Sequence, residues 1–171
     1  MTTATFQVRR ARPDDGAGTS RVLEAVVAER VYSAIDRAWS PEEQREYIRS
    51  LSDREALHVA ADSAGQIVGS QSVEMYSRAL SSMRHVAQLG TFVLPAWRGR
   101  GVGQALFDAS RGFAAAAGYS KIVIQVRASN AGALAFYRRL GFAECGRLRG
   151  QVMLDDREDD EILMEYFLPG R

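Results

Sequence analysis

His85-Val-Ala-Gln-Leu-Gly-Thr-Phe-Val-Leu-Pro-Ala-Trp-Arg-Gly-Arg-Gly-Val-Gly103 decides how the rest of the chain is read. Gly90 to Leu94 is rich in β-branched and aromatic residues, and Pro95 has no N–H for a ladder, so a strand should stop there and a loop begin. Gly99, Gly101 and Gly103 let that loop turn its amides toward one concavity. A helix starting near Gly103 aims the positive end of its dipole at the same place. The stretch predicts an anion cradle. Arg98 and Arg100 add fixed charge in a fork geometry suited to phosphate, so the expected guest is a phosphate or pyrophosphate. The loop is not of the Walker type, because no Gly-Lys-Ser/Thr follows, and its Gly-x-Gly-x-Gly spacing departs from the dinucleotide fingerprint.

A second signature lies downstream. Gln125-Val-Arg-Ala-Ser-Asn130 is followed by Ala-Gly-Ala-Leu-Ala-Phe-Tyr137 and Arg-Arg-Leu-Gly141-Phe142. Taken together, the two stretches resemble the GNAT superfamily of acyl-CoA-dependent N-acyltransferases. Arg98 to Gly103 matches that family's Arg-x-x-Gly-x-Gly pyrophosphate loop, and the succession strand, Asn, helix, Tyr, Leu-Gly-Phe matches its second half. The Val-Arg-Ala-Ser-Asn string is similar to the N-terminal-alanine acetyltransferases of ribosomal proteins. The motifs cover about residues 85 to 168, and residues 1 to 84 agree only in the order of their elements.

The resemblance implies an α/β (α+β) GNAT fold over residues 1–171 as a single domain. Its mixed, mostly antiparallel seven-stranded sheet would be flanked by about four helices in the order β-α-α-β-β-β-α-β-α-β-β. Acetyl-CoA is the implied co-substrate, with no metal, an amine as acceptor and a homodimer as a frequent assembly. Thr91, Phe92 and Val93 would hold the pantetheine arm like an added strand where two central strands part. Arg98, Gly99, Arg100, Gly101, Val102, Gly103 and Gln104 would hold the pyrophosphate, mainly through backbone amides. Asn130 resembles the asparagine that bonds the pantetheine arm, and it is equally suited to be a helix N-cap.

Acyl transfer to an amine needs a neutral nucleophile, a polarised carbonyl and a protonated leaving thiolate. The amide of Val93, freed where the strands part, is the expected oxyanion donor. Tyr137 lies seven residues, two helical turns, beyond Asn130 and shares its face. With an ordinary pKa near 10, its phenol is protonated at neutral pH and can donate to a departing thiolate. The base departs from the resemblance: the ribosomal-protein enzymes carry a glutamate where this chain has Gln125, which cannot accept a proton at neutral pH. Glu74, His85 and water are the substitutes.

Bulk properties narrow the field. The 171 residues suit one domain with a sizeable core. A formal net charge of +1 argues against a general affinity for nucleic acid or membrane. Arg98, Arg100, Arg138 and Arg139 come with no basic aromatic face of the kind a nucleic-acid module uses. A single cysteine, Cys145, rules out an internal disulfide, and with no apolar run of signal or spanning length the expected location is cytoplasmic.

Elsewhere the spacing predicts a first strand around Phe6 and Val8, then a helix over about 19–35. Ser40-Pro41-Glu42-Glu43 announces a second helix to about Ser52. Trp39 and Tyr47 read as half-buried packing. Two strands flank the turn Asp62 to Gly65, and helices are expected over 103–117 and 131–140, with a strand over 121–126 between them. Last come strands over 142–154 and 161–168. Between these, Asp155 to Glu161 carries six acids and one arginine. It reads as a solvated hairpin loop; the alternative, implied by the GNAT resemblance, is that it overhangs the acceptor and draws a cationic amine. Cys145 is expected to be a small core residue. The function that follows is acetyl transfer to a primary amine by direct attack in a ternary complex; the alternative is a CoA-binding regulatory domain that has lost catalysis.

Overall fold

A computed structural model describes residues 5–169. Seven strands and four α-helices follow one another as β1 (Phe6–Arg10), α1 (Gly16–Ala28), α2 (Pro41–Ser50), β2 (Ala56–Asp62), β3 (Ile67–Met75), β4 (Val86–Val93), α3 (Val102–Ala116), β5 (Lys121–Arg127), α4 (Ala131–Leu140), β6 (Ala143–Leu154) and β7 (Arg157–Phe167). The strands form one sheet in the order β1-β2-β3-β4-β5-β7-β6. β4 and β5 run parallel, and every other neighbouring pair is antiparallel. This is the element order and mixed sheet expected from the sequence.

Strand alternation assigns the two faces of the sheet. Val73, Ala87 and Leu89 point to one side with Ile122, Ile124, Val126, Ile162 and Met164. There they pack against Phe107 of α3 and against Leu134 and Tyr137 of α4. On the opposite side Val59 and Ile67 pack against Val22 of α1, with Phe92 and Leu94 beside them. The residues between, Ser70, Ser72 and Glu74 of β3 and Gln88 and Gly90 of β4, therefore face the α1–α2 side.

The ends of the short helices follow from local chemistry. Ser40 Oγ accepts the amide of Glu43, the Glu43 carboxylate accepts the amide of Ser40, and Pro41 occupies the first turn, as the sequence announces. Asn130 Oδ1 accepts from Ala133 N at 3.0 Å and starts α4, which Gly141 ends in the left-handed conformation.

Three expectations are corrected. α1 ends at Ala28 rather than near Ile35, and Arg30 takes a left-handed φ of 57°. The residues that follow are recruited by arginine–carboxylate pairs: Glu29 by Arg98, and Arg30 by Asp155. Arg127 in turn donates to the carbonyls of Arg30 and Ser33. Second, Asp155 to Glu161 is not a loop. Only Asp155 and Asp156, both at positive φ, make the turn, a two-residue hairpin connection, and β7 starts at Arg157. Third, Cys145 is exposed on β6, at a bulge between Glu144 and Gly146 that leaves it out of register.

Candidate active site

The central parallel pair comes apart. β4 and β5 pair only at Val86–Lys121, Ala87–Ile122 and Gln88–Val123, although β4 continues to Val93 and β5 to Arg127. On its other edge β4 stays paired with β3 as far as Gly69–Val93. Leu94 donates to Val68 O and Tyr76 to Val86 O, which fixes the even-numbered residues of β4 as those whose backbone groups face β3. The amides of Thr91 and Val93 therefore point into the gap beside β5. An extended ligand could pair with them there as an added strand.

The gap opens into a cleft of about 1280 Å3. That exceeds the usual size of a pocket for one small molecule and suits a long ligand with a second one beside it. One end of the cleft is the turn after Pro95. Gly99 and Gly101 take φ of 70° and 84°, and α3 starts at Val102. Ala105 is the first helical amide with a backbone acceptor, Gly101 O, so the amides of Val102, Gly103 and Gln104 are left for a guest. Gly103 is needed for space as well: a Cβ there would lie 3.0 Å from the Phe136 ring of α4.

The expected cradle arginines behave differently. Arg98 turns away from the loop: its guanidinium makes a bidentate pair with Glu29 at 2.5 and 2.9 Å, donates to Val93 O at 3.1 Å and stacks over Tyr32. Arg98 therefore ties β4 to the segment after α1, and its charge is already matched. Arg100 lies over the Trp97 ring, 5.8 Å from its centroid. Gln104 donates to Asp108, so its contribution to an anion would come from its backbone.

Tyr137 is buried in the wall of the gap, with its hydroxyl 2.7 Å from Thr91 Oγ1. Thr91 Oγ1 also accepts from Gln71 Nε2 at 2.7 Å. The Thr91 hydroxyl has a second lone pair that accepts from the phenol, and its own proton can turn to the phenol oxygen once the phenol proton is given up to the gap. Burial pushes the Tyr137 pKa up, with the bond to Thr91 only partly opposing it, so the phenol is protonated at neutral pH. Asn130 is buried and lines the same cleft while capping α4.

The α1–α2 side supplies the other wall. Tyr47 donates to Glu74 Oε1 at 2.5 Å, Gln88 Nε2 reaches the other carboxylate oxygen at 3.4 Å, and Trp39 meets Tyr47 edge-on. Burial and then the Glu74 charge hold the Tyr47 pKa far above its usual value. His85, just before β4, also lines the cleft, and its carbonyl accepts the amides of Ser120 and Lys121. Gln125 points to this side but is exposed. Half of the acidic run is bound within the protein. Asp155 holds Arg30, Asp160 holds Arg147 and the Gly150 amide, and Asp159 holds Arg127 at 2.8 Å and Ser129 at 2.5 Å. Of the other three, Asp156 and Glu158 are exposed, whereas Glu161 is 8% exposed and lines the cleft. Sequence reasoning read it as part of a solvated run; only its register opposite Arg127 of β5 turns it inward. No group of three or more His, Cys, Asp or Glu among the described residues could hold a metal ion. Among the described residues no helix is long and apolar enough to cross a membrane.

The family model described as "Acetyltransferase (GNAT) family" matches residues 25–142. N-alpha-acetyltransferase RimI of Mycobacterium tuberculosis is 32% identical over 67% of this chain and 67% of its own length. YwnH of Bacillus subtilis is 25% identical over 90% of this chain and 93% of its own. Among solved structures, a phosphinothricin acetyltransferase from Sinorhizobium meliloti in complex with AcCoA shares the fold. Its TM-score is 0.87 and its identity 22%, with 98% of this chain and 89% of that one covered.

Proposed function

The chain belongs to the acetyltransferase (GNAT) family, and we propose that it transfers the acetyl group of acetyl-CoA to a primary amine, by direct attack of the amine while both substrates are bound. The observation that carries this reading is the parting of β4 and β5 beyond Gln88 and Val123, directly upstream of the open amides at the start of α3. The residues present fit acetyl-CoA: the amides of 99–104 suit its pyrophosphate, and those of Thr91 and Val93 suit its pantetheine arm. Bound there, it supplies an acyl carbon whose C–S bond breaks as the new C–N bond forms.

The protein's part is to polarise, to protonate and to exclude water. Because the phenol of Tyr137 touches Thr91, the reacting carbonyl belongs beside the Thr91 amide. Val93, expected from the sequence to be the oxyanion donor, lies two residues, about 7 Å, farther toward the phosphate loop and suits the pantetheine arm instead. Tyr137 gives its proton to the leaving sulfur. The amine enters from the α1–α2 side, where Glu74, His85 and Glu161 are the ionisable groups to which its proton can pass, directly or through water.

The alternative, a CoA-binding regulatory domain without turnover, rests on Gln125 in place of a glutamate. Free-thiol release from acetyl-CoA, followed across amines that include alanyl and seryl peptides, separates the two. Steady acceptor-dependent release supports transfer, whereas CoA binding without release from any amine supports the regulatory reading.

A further inference from the structure

The cleft is electrically divided along its length. Four cations line it and three are matched: Arg98 by Glu29, Lys121 by Glu165 at 2.5 Å, and Arg127 by Asp159 at 2.8 Å. Arg139 lies over Phe136, the ring packed against Gly103, so its charge sits at the phosphate end. The carboxylates of the α1–α2 side have no such matching. Glu74 is held by two uncharged donors, Tyr47 and Gln88. Glu161, 8% exposed as a residue, lines the cleft and has no hydrogen-bond or ion-pair partner among the described residues, so its carboxylate meets only the solvent of the cleft. Its neighbour across the ladder is Arg127, whose guanidinium is already taken by Asp159 and by two carbonyls.

A carboxylate in so shielded a position, with little water around it and no counter-charge, is held at a cost, and burial followed by the nearby Asp159 charge raises its pKa. A cation delivered by a ligand would remove that cost. We infer that the acceptor is an amine carrying a second positive charge, as a diamine or polyamine does, and that Glu161 holds the charge that is not acetylated. The inference rests on the amine-acetylation reading above and names its substrate class. An acid-bearing amine, such as a free amino acid, would meet Glu161 and Glu74 with no free cation on that side of the cleft to receive its carboxylate.

The test uses three probes of equal length: putrescine, n-butylamine and γ-aminobutanoate. Their thiol release from acetyl-CoA, and their calorimetric binding to the protein saturated with CoA, are measured on the wild type, Glu161→Gln and, as a control away from the cleft, Glu158→Gln. The wild type should prefer putrescine to butylamine by roughly tenfold or more, the scale of a buried charge-assisted contact, with γ-aminobutanoate last. Glu161→Gln should bring the putrescine to butylamine ratio near one, and Glu158→Gln should leave it unchanged. Equal or better use of γ-aminobutanoate, or a putrescine preference that survives Glu161→Gln, overturns the inference. If none of the three releases thiol while an alanyl or seryl peptide does, the inference is overturned and transfer stands. If no amine releases it, the transfer reading fails and the order of binding to the CoA complex decides the charge question. The wild-type comparison stands even if the variant folds poorly.

Discussion

At the scale of single residues, the site depends on a short chain of hydroxyls. Gln71 donates to Thr91, Thr91 sits against Tyr137, and the phenol of Tyr137 is kept protonated by burial. Removing only the phenol oxygen in Tyr137→Phe should lower kcat by about ten- to a hundredfold, the usual scale for a general acid, and leave CoA affinity nearly unchanged. Steady-state kinetics with a calorimetric CoA titration reads both, and undiminished turnover would remove Tyr137 from the mechanism. Tyr137 could be nominated from sequence because its spacing from Asn130 is local. Its contact with Thr91 could not, since the two are 46 residues apart and meet only across the parted strands. Glu161 was hidden for a related reason. It sits among acids that look alike in sequence, and one step of strand parity sends Asp160 outward to Arg147 and Glu161 inward to the cleft.

Elements were legible where their ends are written locally. The box around Ser40, the Asn130 cap and Gly141 each satisfy orphan backbone groups within a few residues, so α2 and α4 fall where expected. α1 was not, because its end is set from a distance: Arg30 leaves helical geometry with its guanidinium held by Asp155, and Glu29 before it is held by Arg98, neither partner adjacent in sequence. The turn opening α3 is where element and function meet. Gly101 has φ of 84°, and a Cβ added there would touch nothing within 4 Å, so Gly101→Ala would act through the backbone alone. The left-handed conformation costs other residues about 1–2 kcal/mol, and relaxing it would swing the amides of 102–104 away from the anion. The variant should therefore raise the KM for acetyl-CoA by roughly tenfold and lower the melting temperature slightly, with the acceptor KM little changed. An unaltered acetyl-CoA KM would show that these amides do not hold the phosphates.

For the molecule as a whole, pH acts on the core as well as on the site. His58 is buried under α3 with Nδ1 3.0 Å from Ser110 Oγ, and burial, aided by Arg10, lowers its pKa from 6.5 to about 4. Between those values the unfolded chain binds a proton that the folded chain refuses, so stability falls as pH drops from 6.5 toward 4 and levels off below. The loss amounts to about 3 kcal/mol. Denaturant melts across this window should show it in the wild type and lose that part of the slope in His58→Gln; identical slopes would refute it. The parted strands have a wider consequence. β4 shares seven paired positions with β3, and β5 seven with β7, but only three join β4 to β5. The sheet is thus two well-knit panels along a half-open seam, and a nucleotide thioester that pairs with the free edge works as a suture. Deuterium uptake should slow on adding CoA at Ala87 to Leu89 and at Lys121 to Ile124, beyond the amides the ligand touches, and protection confined to 91–104 would disprove it. Each turnover then unpicks the stitch as the product departs, and the empty enzyme between cycles is the more easily unravelled form.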